Sequence, residues 1–366
     1  MAQKLKSGYT TGTCATLAAK AAATMLFTKS LVTSEWITTP KGVKITVEIE
    51  DIKQFANKVS CGVRKYSGDD PDVTNGLMIY AEVELTPTPG IMIDGGEGVG
   101  RVTKPGLQQE IGEAAINKVP KQMITQAVSD VLEKEGYMGG AKVVISIPGG
   151  AEIAKKTFNP RLGIVGGISV IGSSGIVEPM SEKALIDTIL VEMKVLKAGG
   201  LDYIMITPGN YGSDFIRDEL KLDLNKAVRC SNFVGEAIGF AKDLNLKGVL
   251  LIGHVGKFIK LAAGIMNTHS KQADARMEIL TAHSALEGAS TEVLEEIMAC
   301  VSTDEAIKCL KEAGLLEKVM ARITRKIEYY MTLKAGENME VGVIYFSNVH
   351  GILGKTSKVE KLLEHF

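Results

Sequence analysis

Lys155-Lys156-Thr157-Phe158-Asn159-Pro160-Arg161-Leu162-Gly163-Ile164-Val165-Gly166-Gly167-Ile168-Ser169-Val170-Ile171-Gly172-Ser173-Ser174-Gly175 is the stretch on which the fold reading turns. A polar loop with three cations (Lys155, Lys156 and Arg161) runs into a short apolar strand, Ile168–Ile171, which ends in a Gly-Ser-Ser-Gly turn. Glycine lets the backbone take positive φ and lets a ligand come close. A strand followed by such a turn is how open α/β folds floor a nucleotide-like ligand. The stretch is therefore expected to open a second domain and to carry a binding site.

Downstream, the rhythm is strand, Gly-rich turn, helix. Ile168–Ile171, Tyr203–Ile206, Val249–Ile252 and Val341–Phe346 are short apolar runs without alternation, as in strands buried on both faces. Helices are expected over Glu182–Lys197, Phe233–Leu244 and Phe258–Met266, with a long helical region from Ala273 to about Leu333. Upstream the pattern differs. An Ala-rich helix follows Thr10-Thr11-Gly12-Thr13, with Thr11 or Thr13 as its cap. Val43, Ile45, Val47 and Ile49 alternate with polar residues, as do Leu77, Ile79, Ala81, Val83 and Leu85, which predicts half-buried antiparallel strands. Ile124, Val128, Val131 and Leu132 mark one face of a helix that Gly136 stops. The fold class is thus α/β and α+β in two domains: an N-terminal α+β layered domain over 1–155 and a C-terminal Rossmann-like open α/β sheet over 156–366. Pro148–Asn159, rich in Gly and polar residues, is the expected linker.

A chain of 366 residues suits two domains, and 45% apolar with 23% charged residues is ordinary for globular cores. A net charge of −1 gives nucleic-acid binding no bulk electrostatic support. The five cysteines show no CxxC spacing, which speaks against a disulfide framework or a zinc site and suits a reducing compartment. The residues Met1–Gly8 hold no signal-peptide core, and no apolar run approaches the ~20 residues that span a bilayer. A cytoplasmic protein without membrane or nucleic-acid partners is expected.

Ligands of an open parallel sheet sit at the carboxyl ends of its strands. The expected strands end in Gly172-Ser173-Ser174-Gly175, Thr207-Pro208-Gly209-Asn210-Tyr211-Gly212, Gly253-His254-Val255-Gly256-Lys257 and Ser347-Asn348-Val349-His350-Gly351. Each can be a simple tight turn; together they outline a crevice with backbone donors, hydroxyls and two histidines. The first turn lacks both the GxGxxG and the Walker A pattern, so a cofactor with little need of phosphate grip fits better, S-adenosylmethionine among them. Gly172, Ser173, Ser174, Gly175, Pro208, Gly209 and Asn210 are its expected contacts.

Asp69-Asp70-Pro71-Asp72 can bind a hard cation, supply a base or form a solvated Asx turn. Gly95–Gly106 alternates flexible backbone with Arg101 and Lys104, which suits either carboxylates of a large ligand or solvent. Thr10, Thr11 and Thr13 stand at a helix start, where they either meet an anion or simply cap. His254 at a strand end is a better candidate than His269, which sits beside Asn267, Thr268 and Ser270 and lines the same cleft in this reading. Cys14 reads as a packing residue.

These strings together resemble the cobalt-precorrin-5B C1-methyltransferase family of anaerobic cobalamin biosynthesis. The resemblance rests on Ser7–Ala15, Asp69–Thr74, Gly98–Leu107, Lys156–Ile164, Gly166–Gly172, Pro208–Gly212, Ser231–Gly235 and Gly264–Ser270. It departs at Ile116–Lys121, where the family suggests Pro in place of Lys118 and Arg in place of Lys121. It implies methyl transfer from S-adenosylmethionine to C1 of a cobalt-containing tetrapyrrole, on a fold unlike other corrin-pathway methyltransferases. The many acidic side chains of such a substrate suit Thr10, Thr11, Thr13, Arg101, Lys104, Arg161 and Lys257. Cobalt arrives inside the macrocycle, so no protein metal ligands are expected. Should the reaction need a base, His254 and Asp70 are the candidates.

Two rivals remain at this level. A nicotinamide-dependent reductase would want an acidic residue after the second strand, where Thr207-Pro208-Gly209 stands. A non-catalytic tetrapyrrole carrier would need the cationic loops but not the crevice. The oligomeric state is open, a homo-oligomer included.

Overall fold

The computed structural model describes residues 5–366, so Met1–Lys4 of the N-terminal reading lie outside the described residues. The chain separates into two compact units, the first ending at Ser181 and the second beginning at Glu182. The boundary expected between 155 and 156 is thereby corrected to the end of the Gly-rich stretch. Residues 156–181 pack into the first unit, and 148–159 are no linker. Gly150 there lies so close to Gly98 that a Cβ would stand 2.2 Å from its carbonyl oxygen.

The first unit begins with helix α1 (Thr11–Thr28), followed by the hairpin β1 (Ser34–Thr38) and β2 (Lys44–Glu48). Strands β3 (Glu50–Gln54), β4 (Lys58–Arg64), β5 (Met78–Thr86) and β6 (Gly90–Gly95) come next, then helix α2 (Lys118–Lys134) and strand β7 (Gly140–Ser146). They form one sheet in the order β3-β4-β5-β7-β6, antiparallel except for the parallel pair β6 and β7. Alternation decides the buried face. Val59, Cys61, Val63, Ile79, Ala81, Val83, Ala141, Val143 and Ile145 are buried, as period two requires. α1 packs on that face and against α2. Its run of alanines (Ala15, Ala18, Ala19, Ala21, Ala22 and Ala23, all 0% exposed) removes side-chain bulk and lets the backbones approach. The Cys61 thiol reaches the Ala18 carbonyl at 3.2 Å.

In the second unit, α3 (Glu182–Ala198) leads to β8 (Tyr203–Thr207), α4 (Asn210–Asp218), β9 (Ala227–Arg229), α5 (Val234–Asp243), β10 (Gly248–His254) and the short α6 (Val255–Phe258). Then follow α7 (Arg276–Ala285), α8 (Thr291–Ala299), α9 (Thr303–Glu312), α10 (Leu316–Ala335), β11 (Glu340–Ser347) and β12 (Gly351–Lys355). The sheet order is β9-β8-β10-β11-β12, with all neighbours parallel except β11 and β12. Val249, Leu250, Leu251 and Ile252 are all 0% exposed, so this sheet is covered on both faces. The strand order reverses between β8 and β10, which makes the loops after these strands the topological switch point.

Three expectations are corrected here. Ile168–Ile171 is not a strand of the parallel sheet; Ile168 and Val170 make isolated bridges to Val99 and Ile116 in the first unit. The helix expected over 258–266 is α6 followed by a 3-10 turn, Ile259–Ala263, ended by Gly264 at φ 74°. The long helical region from 273 is four helices: Ala275 precedes α7 in the left-handed conformation, and Ser290 and Ser302 cap α8 and α9.

Candidate active site

Several strings that read as ligand loops meet one another in the first unit. Thr10 caps α1, its hydroxyl accepting the Thr13 N–H at 3.2 Å. Thr13 Oγ1 donates to the Gly175 carbonyl at 2.7 Å, and the Thr10 N–H donates to the same oxygen at 3.2 Å. Thr11 Oγ1 accepts the Ile171 N–H at 2.9 Å, and the Gly12 N–H donates to the Ile171 carbonyl at 3.0 Å. Thr10, Thr11 and Thr13 are only 8%, 3% and 0% exposed. Their expected substrate role is corrected: the hydroxyls fasten the 171–175 segment to the start of α1.

Gly172 explains itself in the same way. At φ 138°, a Cβ there would stand 2.2 Å from Thr10 Oγ1. Glycine is required because the Thr10 side chain occupies the space of a Cβ and the backbone is at positive φ. Ser174 Oγ closes on its own turn, accepting from the Ile176 N–H at 3.2 Å. Ser173 alone in this turn is exposed. The Gly172–Gly175 turn is no strand end of the parallel sheet, as the cofactor reading required.

The first unit's cations divide. Arg101 is held bidentately by Asp94 at 2.7 and 3.2 Å and also donates to the Gly95 carbonyl at 2.6 Å. It edges a cavity of about 280 Å³ with Lys121, which is itself paired with Glu113 at 3.2 Å. Lys104 Nζ reaches the Arg161 carbonyl at 3.4 Å, so these two exposed residues, far apart in sequence, are neighbours.

The acidic cluster comes apart. Asp69 accepts the Lys6 N–H at 2.6 Å, and Asp70 accepts the Met180 N–H at 2.9 Å. Asp72 accepts from Lys65 Nζ at 2.6 Å, from Ser67 Oγ at 3.2 Å and from the Thr74 N–H at 2.8 Å. Burial raises the Asp72 pKa, but hydrogen bonds from Lys65 and Thr74 outweigh it and hold the carboxyl below the usual range. Among the described residues no group of three or more His, Cys, Asp or Glu could hold a metal ion. The Cys14 thiol is fully buried and pushed up to about 12 by that burial, as suits a packing residue.

The second unit keeps its loops open. β8 ends in buried Thr207 and Pro208, half-buried Gly209, and exposed Asn210 and Tyr211. Gly209 has φ 179°, extended backbone that any residue adopts, and a Cβ there would meet nothing within 4 Å. Neither strain nor packing asks for glycine there. β10 delivers His254, whose ring lies 6.0 Å from Tyr211 and edge-on to Phe346 at 5.9 Å. His254 Nδ1 accepts the Gly256 N–H at 3.1 Å. In the neutral ring the proton is therefore on Nε2, which can donate. Burial pulls the imidazole below the usual histidine range, and the charge of Asp304 opposes that. With Nδ1 engaged by Gly256, the neutral His254 ring offers its Nε2–H as a donor.

Lys257, one turn further, is half-buried, and its ammonium makes no hydrogen bond or ion pair with described residues. Burial lowers its pKa, and nearby Cys230 opposes the shift. The Ser231–Gly235 and Gly264–Ser270 strings are joined: the Thr268 N–H donates to the Asn232 carbonyl at 2.9 Å, and the Gly235 N–H to that of Met266 at 3.1 Å. Lys260, 2% exposed, pins the second string by donating to Thr268 O at 3.1 Å and Ala273 O at 2.8 Å. His269 Nδ1 accepts the Lys271 N–H at 3.0 Å, a local turn cap like that of His254 on Gly256.

Sequence reasoning missed Asp304. Its capping box, Ser302 with Glu305, is legible as a helix start, but nothing local says that the turn lies against β10 and β11.

A parallel sheet with small-residue loops at its switch point is the arrangement of α/β proteins that take small molecules at their strand ends. The CbiD family model matches residues 1–179, and the model described as CbiD, C-terminal domain, matches residues 267–357. A cobalt-precorrin-5B C(1)-methyltransferase of Ruminiclostridium cellulolyticum is 50% identical, over 95% of this chain and 90% of its own length. One of Alkaliphilus metalliredigens is 44% identical over 99% of this chain and 95% of its own, and one of Clostridioides difficile 40% over 100% and 98%. A crystal structure of a cobalamin biosynthesis protein (CbiD) from Archaeoglobus fulgidus is 30% identical, covers 74% of this chain and 84% of its own, and superposes with a TM-score of 0.40. The chain belongs to the CbiD family; the relatives from Ruminiclostridium, Alkaliphilus and Clostridioides are named cobalt-precorrin-5B C(1)-methyltransferases.

Proposed function

We propose that this chain methylates carbon C1 of cobalt-precorrin-5B, with S-adenosylmethionine as donor, in a cytoplasmic cobalamin pathway. One observation carries the reading: a relative of that name is 50% identical over 95% of the chain. No helix of the described residues is long and apolar enough to cross a membrane.

The donor's place in this reading is the switch point of a Rossmann-like second unit. The Gly209 backbone, with open space where a Cβ would stand, fits an adenosyl ligand that approaches closely. Pro208, Gly209 and Asn210 would hold it, His254 would donate from Nε2, and Lys257 would meet a carboxylate of donor or substrate. S-adenosylmethionine, when bound, supplies an electrophilic methyl on a sulfonium. The chain supplies alignment; holding reactants in near-attack geometry contributes about 7–11 kcal/mol. Lys104 and Arg161, adjacent and exposed, suit the acidic side chains of the tetrapyrrole. Arg101 joins them only by exchanging Asp94 for a ligand carboxylate. Asp70 remains the candidate base.

Incubation with S-adenosylmethionine and the cobalt tetrapyrrole, followed by mass spectrometry, tests the reading. A gain of one methyl per macrocycle is expected. Binding of the macrocycle without that gain would make the protein a carrier, and NAD-dependent reduction would make it a reductase.

A further inference from the structure

The start of α9 lies between the ends of two neighbouring strands. Thr303, 3% exposed, places its Oγ1 3.4 Å from where a Cβ on Gly256 would be, next to His254 Nδ1 at 3.3 Å. One residue on, Asp304 Oδ1 accepts the Ser347 hydroxyl at 2.6 Å. That hydroxyl, in a side chain 2% exposed, accepts the N–H groups of Val349 at 2.9 Å and His350 at 3.1 Å. The His350 ring Nε2 lies 3.3 Å from the Asp304 carbonyl. The helix start is itself locked by its capping box: Glu305 accepts the Ser302 N–H at 3.0 Å while Ser302 accepts the Glu305 N–H at 3.2 Å. A carboxylate in a first helical turn is also favoured by the helix dipole.

We propose that Asp304 is a positioning residue for the reaction: it holds the loop after β11 through Ser347 and places a negative charge beside His254, so that the ends of β10 and β11 meet the ligand as one fixed surface. This role rests on the methyl-transfer reading given above. Asp304 acts through other groups, and three atoms of the loop depend on one of its oxygens. The Asp304–Ser347 bond is short and charge-assisted, the stronger kind. His254 is bordered by the uncharged rings of Tyr211 and Phe346, Lys257 follows three residues on in α6, and Asp304 is the charge that raises the His254 pKa against burial.

Three variants separate the functions. Asp304→Asn keeps an acceptor oxygen for Ser347 but removes the charge. Ser347→Ala removes the clamp but keeps the charge. Asp304→Ala removes both. The His254 ring resonance, followed against pH by NMR in the ligand-free chain, titrates lower in both Asp304 variants and unchanged in Ser347→Ala. Calorimetric titration with S-adenosylhomocysteine gives affinity about tenfold weaker in Asp304→Ala and in Ser347→Ala, with partial rescue in Asp304→Asn. Thermal melts confirm that each variant is folded; Asp304→Asn keeps the test open should Asp304→Ala not fold. An unchanged His254 titration in Asp304→Asn overturns the proposal. So does wild-type affinity in Asp304→Ala and Ser347→Ala. A wild-type chain that does not bind S-adenosylhomocysteine overturns the functional reading, and the positioning role with it.

Discussion

Gly172 and Gly209 stand in strings of the same small polar character, and they do opposite things. Around Gly172 there is no room: its absent Cβ leaves space for Thr10, and the hydroxyls nearby are bound to backbone. Around Gly209 there is only room: among the described residues no atom lies within 4 Å of where its Cβ would be. Small residues thus either make room for a packed side chain or leave open space beside the backbone. Open space at the missing Cβ, rather than composition, tells the two apart.

The sharpest way to break this comparison is Gly172→Val. Strain at positive φ costs about 1–3 kcal/mol and overpacking against Thr10 about 1–3 kcal/mol more. Chemical denaturation should show the first unit losing that stability. If the variant melts with the wild type, the Thr10 side chain does not fill the space of a Gly172 Cβ.

The Asp72→Ala variant probes the same unit's internal polar network. It leaves the Lys65 ammonium, 2% exposed, without its carboxylate. Removing one partner of a buried pair costs about 3–5 kcal/mol, and the 25% exposure of Asp72 puts the expected loss near the lower figure. The pH dependence has a definite sign. Because the folded pKa of Asp72 is lowered, its contribution is complete above the unfolded value of about 3.9 and disappears as pH falls through the folded value. Acid unfolding of the wild type should show that slope, and Asp72→Asn should lack it.

Thr13→Val ranks next. It leaves the Gly175 carbonyl with the Thr10 N–H as its remaining donor, a loss of about 0.5–1.5 kcal/mol by thermal melting. The smallest stability effect belongs to Gly209→Ala, within about 0.5 kcal/mol of wild type. Its cofactor affinity should nevertheless fall, and a loss of stability instead would show that Gly209 packs like Gly172.

Much of the second unit was legible. β8, β10 and β11 are runs of apolar residues buried on both faces, and such runs announce themselves. The alternation in β5 was equally plain. Ile168–Ile171 misled because four apolar residues between glycines look the same whether they enter a sheet or bridge to Val99 and Ile116, and pairing partners are not written locally. The short β9 escaped for the same reason. Three of the four expected strand-end loops, after β8, β10 and β11, could be read, since they follow from the strands; Gly172–Gly175 could not. The engagement of Arg101 by Asp94, the capping of Gly256 by His254 and the approach of Asp304 could not, because each depends on a distance set by tertiary packing.

The most direct test places the donor at one of the two glycine-rich turns. S-adenosylhomocysteine is titrated calorimetrically into Gly209→Val and into Ser173→Arg, each shown to be folded. Binding should vanish in Gly209→Val and persist at wild-type affinity in Ser173→Arg. Retained binding in Gly209→Val with loss in Ser173→Arg would contradict the account and move the donor to the first unit.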